Sequence, residues 1–164
     1  MTDDRPPLLA TGLTWEKMQG LCFRTAARTI IEADLATFLG LGGFTEPLFR
    51  DAEHAKTAGY RGTLLPGGMV YMIAEGLVLQ TNVLHGTGLA FLHMEFDVKA
   101  PTYVGDTLHV IVTTTSARAS SKSGRGVVTS RCSIRNQRNE EVAVYTPVRL
   151  IRGADHTEPE ARDE

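Results

Sequence analysis

Three places in this chain carry residue types at spacings that could do chemistry. Glu46 stands in the run Gly40-Leu41-Gly42-Gly43-Phe44-Thr45-Glu46-Pro47-Leu48-Phe49, between glycines and phenylalanines. A carboxylate walled by aromatic rings is desolvated, its pKa rises, and it can then serve as acid or base. The same residue pointing to water would be an ordinary loop glutamate. His93 precedes Glu95 and Asp97 in an alternating stretch, so all three point the same way along a strand. Carboxylates so placed raise a histidine's pKa and suit it to proton transfer, while the plainer alternative is a hydrogen-bonded surface or interface histidine. The third place is Pro66-Gly67-Gly68, which opens a long apolar run. Proline suits the first turn of a helix, and the two glycines leave backbone N–H groups open to a ligand at the positive end of the helix dipole. A tight turn with no ligand is the alternative there.

Much other chemistry is excluded by pattern. No two histidines have metal-ligand spacing on one element, so no metal is expected. No GxSxG elbow, P-loop or dinucleotide fingerprint occurs, and no cofactor is expected. The formal net charge of −2, without a basic run, argues against a nucleic-acid or membrane-surface binder. The two cysteines, Cys22 and Cys132, are far apart and read as small core residues in a reducing cytoplasm. The acidic, proline-bearing N-terminus does not resemble a signal peptide, and no run is long enough to span a bilayer.

These residues need elements to position them. Residues 1–14 read as a flexible lead-in, 15–152 as one domain, and 153–164 as a disordered acidic tail. Residues 22–31 read as a first strand and Glu32 to Leu39 as a short helix. The glycine-rich stretch 40–51 carries Phe44, Leu48 and Phe49, too apolar for a solvated loop, so it should pack against something. Asp51 is placed to cap a helix from Ala52 to Ala58. A helix over about 66–84, apolar on nearly every face apart from Glu75, must be buried, and Glu75 then needs a partner, an exposed position or a cavity. From Leu89 onward come four strands, 89–99, 107–117, 126–135 and 141–151. The first places Phe91 on one face with His93, Glu95 and Asp97, a face suited to a subunit contact. Pro147 belongs at an edge or a bulge. The class is α+β, an antiparallel sheet wrapped around one long buried helix.

Over about residues 20–152 the sequence resembles the MaoC-like acyl dehydratases, the R-specific enoyl-CoA hydratases of the hotdog fold. The carriers are Arg28-Thr29-Ile30-Ile31-Glu32-Ala33-Asp34 with Phe38, then Glu46-Pro47-Leu48 with Asp51 and Ala55, and Gly59-Tyr60-Arg61-Gly62. Further along come Phe96-Asp97-Val98-Lys99-Ala100-Pro101, Val104-Gly105-Asp106-Thr107-Leu108 and Asn136-Gln137. The resemblance implies a homodimer or higher oligomer that holds an acyl-CoA or acyl-carrier-protein thioester near the subunit interface.

One departure is specific. Hydratases of this family carry a catalytic Asp and His in a pattern like G-D-x-N-P-[LI]-H. Aligned on Pro47, Phe44 takes the Asp position and Phe49 the His position, and a phenyl ring moves no proton. The family's His-Gly before the long helix is here Pro66-Gly67, whose glycine N–H can still polarise a thioester carbonyl. The resemblance thus implies substrate contacts from Phe44, Phe49, Pro66, Gly67 and Gly68, with Glu46 first and His93 second as displaced acid/base. Three activities follow: (de)hydration of 2-enoyl and 3-hydroxyacyl thioesters, acyl-CoA thioester hydrolysis, or a non-catalytic subunit that binds a thioester or joins a catalytic hotdog partner in a heteromer.

Overall fold

In the computed structural model, which describes residues 10–156, one helix lies against a six-stranded antiparallel sheet. The expectations for 1–9 and for 157–164 lie outside the described residues. The described part of the lead-in is tied down: Gly12 N–H donates to His85 O at 2.8 Å and Leu13 N–H to Val83 O at 2.9 Å. A 3₁₀ turn, Trp15–Met18, follows. Its indole lies over Gly126, where a Cβ would come within 2.2 Å of Trp15 Cγ.

Two short strands, β1 (Cys22–Arg24) and β2 (Arg28–Thr29), replace the single strand expected over 22–31. Thr25 separates them: its hydroxyl donates to Ala26 O and accepts from Val110 N–H at 3.0 Å, so a side chain takes a ladder position. Cys22 is exposed at this edge, not in the core, whereas Cys132 is buried as expected. Helix α1 (Glu32–Gly42) runs past the expected Leu39 and stops at Gly43, whose φ of +66° suits glycine. Asp34 holds its start by accepting from Ile31 N–H at 3.0 Å and pairing with Arg28. After α2 (Pro47–Arg50), Asp51 caps α3 (Ala52–Thr57), accepting from Glu53 N–H at 2.9 Å and His54 N–H at 3.1 Å.

Helix α4 (Gly67–Leu79) is the buried helix. It is shorter than the expected 66–84, because the chain turns from Gln80 and Asn82 adopts φ 60°, which a right-handed helix cannot contain. Strands β3 (Gly88–Val98), β4 (Thr107–Ala119), β5 (Arg125–Arg135) and β6 (Glu141–Arg152) complete the sheet in the order β1-β4-β5-β6-β3, with β2 also on β4. Ile30, Met69, Leu108, Val110, Ile134 and Tyr145 are fully buried in the core that α4 shares with the sheet. Each such side chain contributes about 1.5–3 kcal/mol of hydrophobic stabilisation.

Two strand expectations change. β3 is an edge strand with irregular register at Leu89 and Leu92, where Phe91 pairs with Arg149 but His93 pairs with Val148. The irregularity turns Phe91 away from His93, Glu95 and Asp97 and sets it 5.4 Å from the Arg149 guanidinium on the helix side. Pro147 lies inside β6, which has neighbours on both sides. Its pairing with β5 lapses between Tyr145 and Val148, so the missing donor leaves no broken ladder bond.

Candidate functional site

The first turn of α4 is held from behind by a buried carboxylate. Asp106, 3% exposed, accepts from Arg61 at 2.9 Å, Gln137 at 3.0 Å and Tyr103 N–H at 2.9 Å. Burial alone would raise its pKa, but these donors together hold it below the ordinary carboxylate value. Arg61 also stacks on Tyr103, 4.0 Å from the ring centroid. Leu64 bridges to Tyr103, and Leu65 N–H donates to Thr102 O at 2.9 Å. The segment 61–66 is thereby fixed, and Pro66 delivers the chain into the helix.

Intrahelical bonding begins with Met69 N–H and Val70 N–H, which reach Pro66 O at 2.9 and 3.2 Å. Among the described residues no acceptor meets the N–H groups of Gly67 or Gly68, and Gly68 is exposed. A Cβ on Gly67 would lie 3.2 Å from Val98 and 3.4 Å from Phe96, whereas one on Gly68 would meet only Phe38, at 3.8 Å. One cleft opens on this turn through Gly67, and a second is reached from it only through Thr63 of the preceding segment. The first, of about 310 Å³, is lined by Tyr60, Leu65, Gly67, Val70 and Lys99 among others. The second, of about 590 Å³, lies between α1, the 43–50 loop and Val104.

The glycine-rich loop packs, as its composition predicts. Phe38 and Phe44 have ring centroids 5.2 Å apart, and Phe44 meets Phe49 edge-on at 6.2 Å. Phe44 and Phe49 wall the larger cleft together with Leu35 and Leu39. Phe38 links this wall to Gly68, a connection that sequence spacing did not reveal. Thus Phe38 connects Phe44 and Phe49 to Gly68, while Gly67 faces Val98 and Phe96 and lines the smaller cleft. Glu46 is the exposed residue before α2 and stands on the wall of neither cleft. His93 is exposed on β3. The charged side chains on the larger cleft are instead Glu32 and Arg50, both exposed.

Glu75, expected to have a partner, an exposed position or a cavity, has two partners. Arg149 Nη2 lies 2.7 Å from both carboxylate oxygens and Tyr145 Oη donates at 2.9 Å. Burial, with Cys132 and Glu75 nearby, drives the Tyr145 pKa far above its ordinary value, so the phenol stays a donor. Burial also pushes the Cys132 thiol up to about 11. Among the described residues no cluster of three or more His, Cys, Asp or Glu could hold a metal ion, and no helix is long and apolar enough to cross a membrane.

A helix wrapped by an antiparallel sheet defines a hotdog-fold protein, and the first turn of that helix opens on the smaller cleft through Gly67. Residues 17–145 match the family model "FAS1-like, dehydratase domain region", and the chain belongs to that family of MaoC-like dehydratases. It is 34% identical over 89 residues to an (R)-specific enoyl-CoA hydratase of Rhodospirillum rubrum, a match covering 54% of this chain and 60% of that enzyme. It is 32% identical over 92 residues to a mitochondrial 3-hydroxyacyl-[acyl-carrier-protein] dehydratase of Solanum lycopersicum, covering 56% of this chain and 53% of that one. The chain thus matches little more than half the length of these curated relatives. Among solved structures, the MaoC-like dehydratase from Rhodospirillum rubrum superposes with a TM-score of 0.79 at 26% identity, over 88% of this chain and 100% of the other.

Proposed function

We propose that this chain binds an acyl-CoA or acyl-carrier-protein thioester, with the carbonyl oxygen on the Gly67 and Gly68 N–H groups and the acyl group along the cleft walled by Phe44 and Phe49. The reaction class is that of its relatives, (de)hydration of 2-enoyl and 3-hydroxyacyl thioesters. The observation that carries this reading is the uncapped first turn of α4, open to a cleft at Gly67 in a chain of the dehydratase family. The two amides stabilise negative charge as it develops on the thioester oxygen, which acidifies C2 and activates C3. Proton transfer needs a further group. Phe44 and Phe49 supply none, so Glu46 and then His93 are the candidates within this chain. Failing these, a catalytic hotdog partner supplies the group to this subunit.

The outer edge of β3, unpaired among the described residues and with Phe91 and Leu92 about half exposed, supports a homodimer, a higher oligomer or such a heteromer. The two free cysteines support a cytoplasmic setting.

The test is one titration of the purified chain with short- to long-chain trans-2-enoyl-CoA, following loss of enoyl absorbance, release of free thiol, and binding. Enoyl loss without thiol is the family reaction, and Glu46→Gln and His93→Gln then locate the proton donor. Thiol release identifies a thioesterase. Binding without turnover identifies the subunit role. Gly67→Ala should weaken binding about tenfold or more, since its methyl group presses on Val98 and Phe96 beside the amide. Absence of binding to every acyl-CoA overturns the reading.

A further inference from the structure

His93, Glu95 and Asp97 form a charged row on one face of β3, and all three are exposed. Across the ladder to β6 they stand opposite Val148, Thr146 and Val144, so the strand packed against them brings no charge to the row. The nearest further charge is Lys99, whose Nζ lies 3.3 Å from the Asp97 carboxylate. The other edge of β3 has no neighbour among the described residues, and its register is regular only from His93 to Val98, beyond the bulge at Leu92.

A closed dimer has two-fold symmetry, so two copies of β3 that pair along this edge run antiparallel. Residues equally far before and after the axis then face each other, and the alternation of side chains puts one residue on the axis itself. An axis at Met94 runs the pairing into the bulge. With Phe96 on the axis, Glu95 faces the partner's Asp97 on both sides, which is two like-charge pairs. With Glu95 on the axis, His93 faces the partner's Asp97 on both sides, Met94 faces the partner's Phe96, and one like-charge pair remains, Glu95 with its own copy. Opposite charges across a strand pair stabilise it and like charges do the reverse, so charge selects the last register. Resting on the oligomer reading above, we infer that this edge is the contact between two copies of the chain, with Glu95 on the two-fold axis and His93 paired to the partner's Asp97. The pairing needs a cationic imidazole, which an ordinary histidine supplies below about pH 6.5. The facing Glu95 carboxylates also repel less once they share a proton. Both effects make the dimer bind protons more tightly than the separate chains, so association strengthens as the pH falls.

Sedimentation equilibrium of the full chain at pH 5.5 and pH 8.5, at equal ionic strength, tests this. The dimer should be about two- to thirtyfold tighter at the lower pH, the effect of two opposite-charge cross-strand pairs. At pH 5.5, His93→Asp should weaken the dimer, because it sets carboxylates face to face. Adding Asp97→His should restore it, since the same two positions then meet with their charges exchanged. Circular dichroism checks that both variants fold; if either does not, the wild-type pair of pH values alone decides. A wild-type dimer equally tight at both values, or tighter at pH 8.5, overturns the inference and leaves the oligomer reading standing. So does a folded double variant no tighter than the single one. A wild-type monomer at both values removes the oligomer reading and the inference with it.

Discussion

Glu75 shows how one charged residue is accommodated in the middle of an apolar helix. Its carboxylate is 16% exposed and its two partners come from β6, 70 and 74 positions later in the chain. Removing the carboxylate leaves the Arg149 guanidinium, 9% exposed, without its counter-charge. Glu75→Ala should therefore lower stability by about 3–5 kcal/mol in urea unfolding, whereas Glu75→Leu combined with Arg149→Met should cost clearly less. If the double variant is as unstable as the single one, the ion pair is not what the site depends on. That Glu75 needed a partner was legible from its isolation in an apolar run. Arg149 as that partner was not, because no local pattern links positions so far apart. The two phenylalanines were legible in a different way. Their place in the Glu46-Pro47-Leu48 motif marked them, but only Phe38, reaching across from α1, ties them to the glycine turn.

Among elements, the start of α4 depends on Asp106, which gathers Arg61, Tyr103 and Gln137 from three separate segments. Its pKa in the folded chain lies below the ordinary aspartate value of 3.8, so the folded state binds its proton more weakly than the unfolded state does. The stability it contributes is complete above pH 3.8 and is lost as the pH falls through that value toward the lower folded-state pKa. Asp106→Asn should thus cost about 1–3 kcal/mol at pH 7. Part of the acid sensitivity seen in wild-type urea midpoints between pH 5 and pH 2.5 should vanish with it; parallel wild-type and variant curves across that range would exclude the linkage (a window of roughly one unit either side of the titration). The proline and paired glycines made the beginning of this helix readable. Its end was not, since Asn82 in the left-handed region leaves no signature as strong as a glycine or proline. Likewise the alternation of β3 misled at Phe91, because a bulge at Leu92 changes the face without changing the composition.

For the whole molecule, the sheet ends on one side at β3, eleven residues long and without a neighbour beyond it among the described residues. Such an edge, with Leu92 53% exposed, invites pairing with a second strand. Sedimentation analysis should show an oligomer, and Leu92→Lys should shift it toward the monomer; a wild-type chain that sediments as a monomer at all concentrations would count against the oligomer proposed above. Fold class and the four long strands could be read from their alternation and from one long apolar run, whereas the pairing of β3 with β6 could not, because no local pattern links strands so far apart. Short elements such as β1 and β2 could not, because a single hydroxyl at Thr25 divides them. The chain's one tryptophan, Trp15, seals the notch at Gly126 and sets its indole nitrogen close to Gly153, at the end of the β5–β6 pair. Its emission is therefore an intrinsic optical reporter: a red shift signals that the amino-terminal segment has peeled from the sheet, and no dye or label is needed to time that event against collapse of the rest.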